Sequence, residues 1–142
     1  MSRGENAIYD IWLSLVKGIS TAAKASLVCS FEESCYVYEA GDDALDAMFS
    51  DLSFAREGLM EKGLGEAQKI LEDTVREGIG VLGISDESYP EALRNITDPP
   101  IVLYYRGNRE FLKSTCIAVV GNRRASPYGL WAASAVGKKL AE

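Results

Sequence analysis

Apolar positions recur at helical spacing through the first half of the chain and change to short unbroken runs in the second. Ile8, Ile11, Trp12, Leu15 and Val16 lie on one stripe, which predicts a helix from Asn6, as its cap, to Val16, stopped by Gly18. Ser20 or Thr21 can cap a second helix running to about Cys29. Shorter helical pieces are expected over Phe31–Glu39, over Asp43–Phe49 behind an Asp42 cap, and over Phe54–Met60 behind a Ser53 cap. The clearest helix is Glu66–Glu77, with Ala67, Ile70, Leu71, Thr74 and Val75 on one face and Gly78 as its C-terminal stop.

Past Gly78 the period changes. Val81–Ile84 reads as a short strand between glycines, and Pro90 opens a brief helix after the turn at Asp86. Asp98-Pro99-Pro100 forces extended backbone into a strand over Ile101–Tyr105, in which Tyr104 and Tyr105 are expected to pack. Thr115–Val120 is apolar or β-branched without alternation, the pattern of a strand buried on both faces as in a parallel sheet. Gly121 ends that run. Ser126 followed by Pro127 is an N-cap with proline at the first helical position, so a last helix is expected from Pro127 towards Glu142, with Trp131 in the core. The chain therefore divides into a helical part, residues 1–80, and an α/β part, residues 81–142. It ends inside a helix with no stop signal, after one βα unit and two short strands, which reads as a truncated α/β domain whose unpaired edges favour self-association.

Charge sharpens this division. The net charge is −6, yet residues 1–85 hold 7 Lys/Arg against 15 Asp/Glu, and residues 94–139 hold 8 Lys/Arg against 2 acidic residues. The first segment is thus −8 and the second +6, and a locally basic segment can bind a polyanion whatever the total. No window approaches the apolar length of a membrane span, the N-terminus has no signal-peptide run, and the 3 cysteines have neither CxxC spacing nor histidine partners. A soluble cytoplasmic protein with reduced thiols is expected, with Cys29 and Cys35 packed as small apolar groups. The absence of histidine removes His-activated nucleophiles and His-metal sites from consideration. Glu32, Glu33, Asp42, Asp43 and Asp46 are scattered near caps and read as a solvated face.

The chemistry gathers after the central strand. A strand, a tight loop and a helix aim backbone N–H groups and the positive helix end at one point, and Arg123 and Arg124 stand in that loop, so a phosphate is its natural ligand. The loop is not G-x-G-x-x-G, so a dinucleotide fingerprint is absent, and a purely structural turn with solvated arginines remains the alternative. A helix-hairpin-helix phosphate contact at the Gly18-Ile19-Ser20 corner competes with an ordinary helical corner in the same way.

Three motifs in order resemble the bacterial DNA-processing protein A (DprA/Smf) family: Tyr89-Pro90-Glu91-Ala92-Leu93; then Ile96-Thr97-Asp98-Pro99-Pro100-Ile101-Val102-Leu103-Tyr104 with Arg106-Gly107; then Ile117-Ala118-Val119-Val120-Gly121-Asn122-Arg123 with Ser126, Tyr128 and Gly129. The resemblance implies an all-α N-terminal domain of sterile-alpha-motif or helix-hairpin-helix type, followed by the beginning of an α/β extended Rossmann domain. It implies a non-enzymatic protein without a cofactor that binds and protects single-stranded DNA and helps to load the RecA recombinase during natural transformation. By the same resemblance Gly121 and Arg123 fall on the family's phosphate-contacting loop, with Asn122 where the family has a small hydroxyl residue, and Ser126 falls on its helix-cap serine; on charge, Arg124 is expected to join the phosphate-binding set Gly121, Asn122, Arg123 and Ser126. On position and charge alone, Tyr128 beside the loop either stacks on a base or packs on its helix, and Lys138 and Lys139 add further basic contacts. The family's second glycine-rich loop has no counterpart here.

Two other classes stay open on the residues. A nucleotide-binding Rossmann enzyme, such as a nucleoside-monophosphate phosphoribohydrolase, uses a similar loop, but needs a carboxylate at the sugar, and no Asp or Glu lies between Lys113 and Ala141. Alternatively, the acidic helical part serves as an interaction module for a basic protein partner.

Overall fold

The computed structural model of the chain describes residues 6–48, 58–115 and 117–141. Helix α1 (Ala7–Leu15) is the centre of the packing: α2 (Thr21–Phe31), α3 (Ser34–Glu39) and α5 (Gly65–Arg76) all lie against it, while α4 is Asp42–Met48. Ile11, Trp12 and Leu13 of α1 are all buried, because neighbours surround the helix on more than one side. Trp12 stacks edge-on against Tyr38 at 5.0 Å between ring centroids. Tyr38 in turn donates its hydroxyl to the Lys62 carbonyl at 2.7 Å, tying α3 to the segment before α5.

The termini of these helices follow local chemistry. Ser20 has extended backbone and its Oγ accepts from the Ala23 N–H at 3.2 Å, capping α2. At the far end of α5, Gly78 (φ 65°) donates its N–H to Val75 at 3.2 Å, and Ile79 N–H reaches Thr74 at 2.8 Å. This pair of bonds is a Schellman closure, in which the left-handed position suits glycine. Asn6 behaves otherwise than expected: its backbone is helical and its side chain caps nothing, because Nδ2 donates to Glu33 Oε2 at 2.8 Å. The helix expected over Phe54–Met60 lies largely outside the described residues.

Strand β1 (Gly80–Gly83) pairs antiparallel with β2 (Val102–Tyr105), Gly80 opposite Tyr105 and Gly83 opposite Val102. Leu82, Ile84 and Ile101 share one apolar cluster with Ile11, Leu13 and Leu27, so the two-stranded sheet closes the same core that the helices build. Between the strands, Pro90 caps the short α6 (Glu91–Arg94). Tyr89 is buried and donates its hydroxyl to the Pro100 carbonyl at 2.6 Å. Arg94 lies over the Tyr89 ring and donates to the Ile84 and Asp86 carbonyls at 3.2 and 2.8 Å. The Tyr89-Pro90 and Pro99-Pro100 motifs therefore fasten to each other and shape the connection between the strands.

The second half departs from expectation at the central strand. After a 3-10 turn (Arg109–Lys113), Ile117–Val120 runs on without pairing in any sheet, with Ile117, Val119 and Val120 exposed. A run patterned for burial on both faces becomes a strand only when flanked by others, and among the described residues no strand pairs with it. The last helix, α7 (Pro127–Ala141), forms as expected, but Trp131 is 65% exposed rather than in the core. Cys35 is buried and Cys29 is exposed, against the expectation that both would pack.

Candidate nucleic-acid interface

The loop and helix that carry the expected phosphate contacts are built by Ser126 and Pro127. Proline pre-sets the first helical position, and Ser126 Oγ accepts from the Gly129 N–H at 3.1 Å while its carbonyl takes the Leu130 N–H at 3.0 Å. Ser126 is thus the N-cap of α7, and its hydroxyl is committed to the helix end. Gly121, Asn122, Arg123, Arg124 and Tyr128 are all exposed, as are Lys138 and Lys139 in the last turn of α7. A Cβ on Gly121 would meet nothing within 4 Å, so local packing sets no demand for glycine there.

This arrangement puts two guanidinium groups in the four residues before a capped helix. Tyr128 follows at the second helical position, 74% exposed, its ring 5.8 Å from that of Trp131 and tilted by 33°. Two adjoining exposed rings beside arginines make a surface on which a base can stack while phosphates meet the guanidiniums. Lys138 and Lys139 lie about three helical turns beyond Tyr128, so they extend the basic surface rather than join the loop.

The acidic half contains features that the pattern of residues concealed. Asp10, on α1, is 4% exposed and faces Ser34 of α3 and Gly83 of β1. Ser34 donates to its Oδ1 at 2.6 Å, and a Cβ on the facing Gly83 would run into its carboxylate. Burial pushes its carboxyl up from 3.8 to about 6, the Ser34 hydrogen bond opposing this and the charges of Glu33 and Asp86 adding to it. Glu33 accepts from Asn6 as well, and so belongs to a built corner rather than a solvated face. The one available signal was the position of Asp10 immediately before the fully buried Ile11-Trp12-Leu13. Among the described residues no group of three or more His, Cys, Asp or Glu side chains is arranged to hold a metal ion, and no helix is long and apolar enough to cross a membrane.

Residues 80–142 match the family model described as DNA recombination-mediator protein A. The DNA processing protein DprA of Streptococcus pneumoniae is 46% identical over 46 residues, 32% of this chain and 16% of that protein. The DNA processing protein DprA of Bacillus subtilis is 37% identical over 62 residues, 43% of this chain and 21% of that protein. Protein Smf of Borreliella burgdorferi is 37% identical over 59 residues, 42% of this chain and 18% of its own length. The matches thus span about a sixth to a fifth of the lengths of these relatives. No solved structure matches the chain. With the Tyr89, Pro99-Pro100 and Gly121-Asn122-Arg123 motifs inside the matched span, residues 80–142 are similar to the DNA recombination-mediator protein A family over a little less than half of the chain.

Proposed function

We propose that the chain binds single-stranded DNA through the loop Gly121–Ser126 and the face of α7, as part of a DNA-processing protein that mediates recombination by helping to load RecA. The observation that carries this reading is the family match over residues 80–142, which encloses an exposed Arg123-Arg124 pair directly before a capped helix. Arg123 and Arg124 neutralise phosphates, Tyr128 stacks on a base, and Lys138 and Lys139 extend the track. Ser126 acts by holding the helix end rather than by touching DNA. In this reading the helical part is a sterile-alpha-motif-like domain over residues 1–80, and residues 81–142 are the first portion of an extended Rossmann domain. The protein works in the cytoplasm, on strands entering during natural transformation, without catalysing a reaction or carrying a cofactor.

Fluorescence anisotropy of a labelled thymine oligonucleotide against the full chain tests this, at two salt concentrations with Arg123→Ala in parallel. Each phosphate neutralised releases counterions, so affinity should fall steeply with salt, and the variant should bind more weakly with a slope shallower by about 0.7. Matched duplex and AMP serve as competitors. Strong competition by AMP with little strand binding would transfer the loop to a nucleotide-binding enzyme instead, and a variant with an unchanged slope would move the phosphate contact away from Arg123.

A further inference from the structure

A second cationic site lies on the opposite half of the sequence from Arg123. Lys24, in the first turn of α2, is 6% exposed, although lysine is rarely buried without an ionic partner. Its Nζ donates to the Ser14 carbonyl at 2.8 Å, and no ion pair joins it to a carboxylate among the described residues. Among the described residues this neutral acceptor is matched by no carboxylate, so none of them compensates the buried charge, an arrangement that is costly unless something else is held there. Lys24 and Ser14 both line a cavity of about 290 Å³, walled by Ile101 and Val102 and bordered by Thr21 and Tyr104. None of its lining residues is acidic, in contrast to a separate cavity of about 260 Å³ lined by Asp10, Glu33, Asp86 and Glu87.

We propose that this cavity, between the α1–α2 corner and strand β2, is a binding site for a phosphate group, with Lys24 as its cation and the hydroxyls of Thr21 and Tyr104 as flanking donors. The three donors come from two elements, α2 and β2, that border the same cavity, and lysine serves phosphates as a compact point charge. Asp98 does not compete for the site: its Oδ1 accepts from the Ala22 N–H at 3.3 Å and so occupies the exposed end of α2. Burial lowers the Lys24 pKa and raises that of Tyr104. A bound anion would reverse the first shift, and the second keeps the Tyr104 hydroxyl protonated as a donor. The phosphate belongs either to a nucleic-acid backbone or to a free phosphate or mononucleotide, and the site would give the acidic half of the chain its own contact with such a ligand.

Titrating the full chain with inorganic phosphate against chloride at equal ionic strength, read by amide chemical shifts, tests the site. Saturable shifts are expected at Thr21–Lys24 and Tyr104, and Lys24→Met should weaken that binding by about tenfold or more, since it removes a charge-assisted contact while keeping the apolar stem. Tyr104→Phe should weaken it by a smaller factor, and Arg123→Ala should leave the shifts at Thr21–Lys24 unchanged. A thymine oligonucleotide that displaces phosphate from these residues identifies the source as a strand. Displacement by AMP without displacement by the oligonucleotide identifies it as a free ligand. Absence of saturable shifts at Thr21–Lys24, or shifts that persist undiminished in Lys24→Met, would overturn the proposal. Because Lys24→Met removes a buried uncompensated charge, it should fold at least as stably as the parent chain, and a melting temperature measured alongside verifies that loss of binding is not loss of structure.

Discussion

Asp10 shows how one carboxylate can set the pH response of the helical core. Its carboxyl titrates near 6 in the folded chain, against 3.8 as the ordinary value, because burial disfavours the charged form. Between those two values the folded state holds a proton that the unfolded state has released, so stability falls as pH rises through this window and levels off above it. A shift of about two units corresponds to roughly 3 kcal/mol of destabilisation at neutral pH. Asp10→Asn preserves the shape and can still accept the Ser34 hydroxyl, so it should melt higher than the parent at pH 7.5. The advantage should shrink towards pH 4.5, where the folded parent is protonated. Melting both proteins across that range measures the difference directly, and parallel curves would show that the Asp10 charge has no influence on folding.

At the level of elements, Ser126 links a local hydrogen bond to the presentation of the arginine loop. Its cap joins the first turn of α7, whose Leu130 and Trp131 are exposed, so tertiary packing contributes little to holding that turn. Ser126→Ala should therefore cost about 1 kcal/mol of helix stability, a factor of about five in local opening. Hydrogen exchange at Gly129 and Leu130 should accelerate by that factor, whereas Leu82 and Ile84 in the core should exchange as before. Acceleration at both places would mean that α7 is coupled to the main core after all. The same helix shows where sequence was informative. Caps and stops are encoded within four residues, so Ser20, Ser126 with Pro127, and Gly78 were all readable, as were α5 and both strands of the hairpin. Asn6 misled because its side chain is drawn to Glu33, 27 residues away. Ile117–Val120 misled because a strand is a property of a pair, and its pattern states only that partners would be apolar. Asp10 and Lys24 escaped notice for a related reason: burial of a charged side chain is decided by neighbours from distant segments, here α3, β1 and β2, and leaves almost no mark on local spacing.

Across the whole molecule, a −8 segment and a +6 segment are joined in one chain, and the second also exposes Ile117, Val119, Val120, Leu130, Trp131 and Leu140. Scattered apolar side chains are normal on a surface, but several large ones on one extended run and the helix after it favour burial against another surface. Self-association through this face is therefore expected, and two driving forces make opposite predictions for it. If apolar burial dominates, added sodium chloride should leave the association constant nearly unchanged, because no net charge is neutralised, and Trp131→Glu should disperse the oligomer. If the acidic half of one copy instead receives the basic half of another, association should weaken between 50 mM and 500 mM salt as the Debye length contracts from about 14 Å to about 4 Å. Sedimentation velocity over a concentration series at both salts separates the two, and the apolar mechanism is the expected result. The distinction bears on DNA as well: a head-to-tail charge pairing would mask Arg123 and Arg124 and set oligomer against strand, whereas an apolar contact leaves the arginine loop open. With apolar association, a thymine oligonucleotide added at low salt should join the oligomer without splitting it; a strand that converts oligomer to monomer would show that DNA and the second copy compete for the same basic surface.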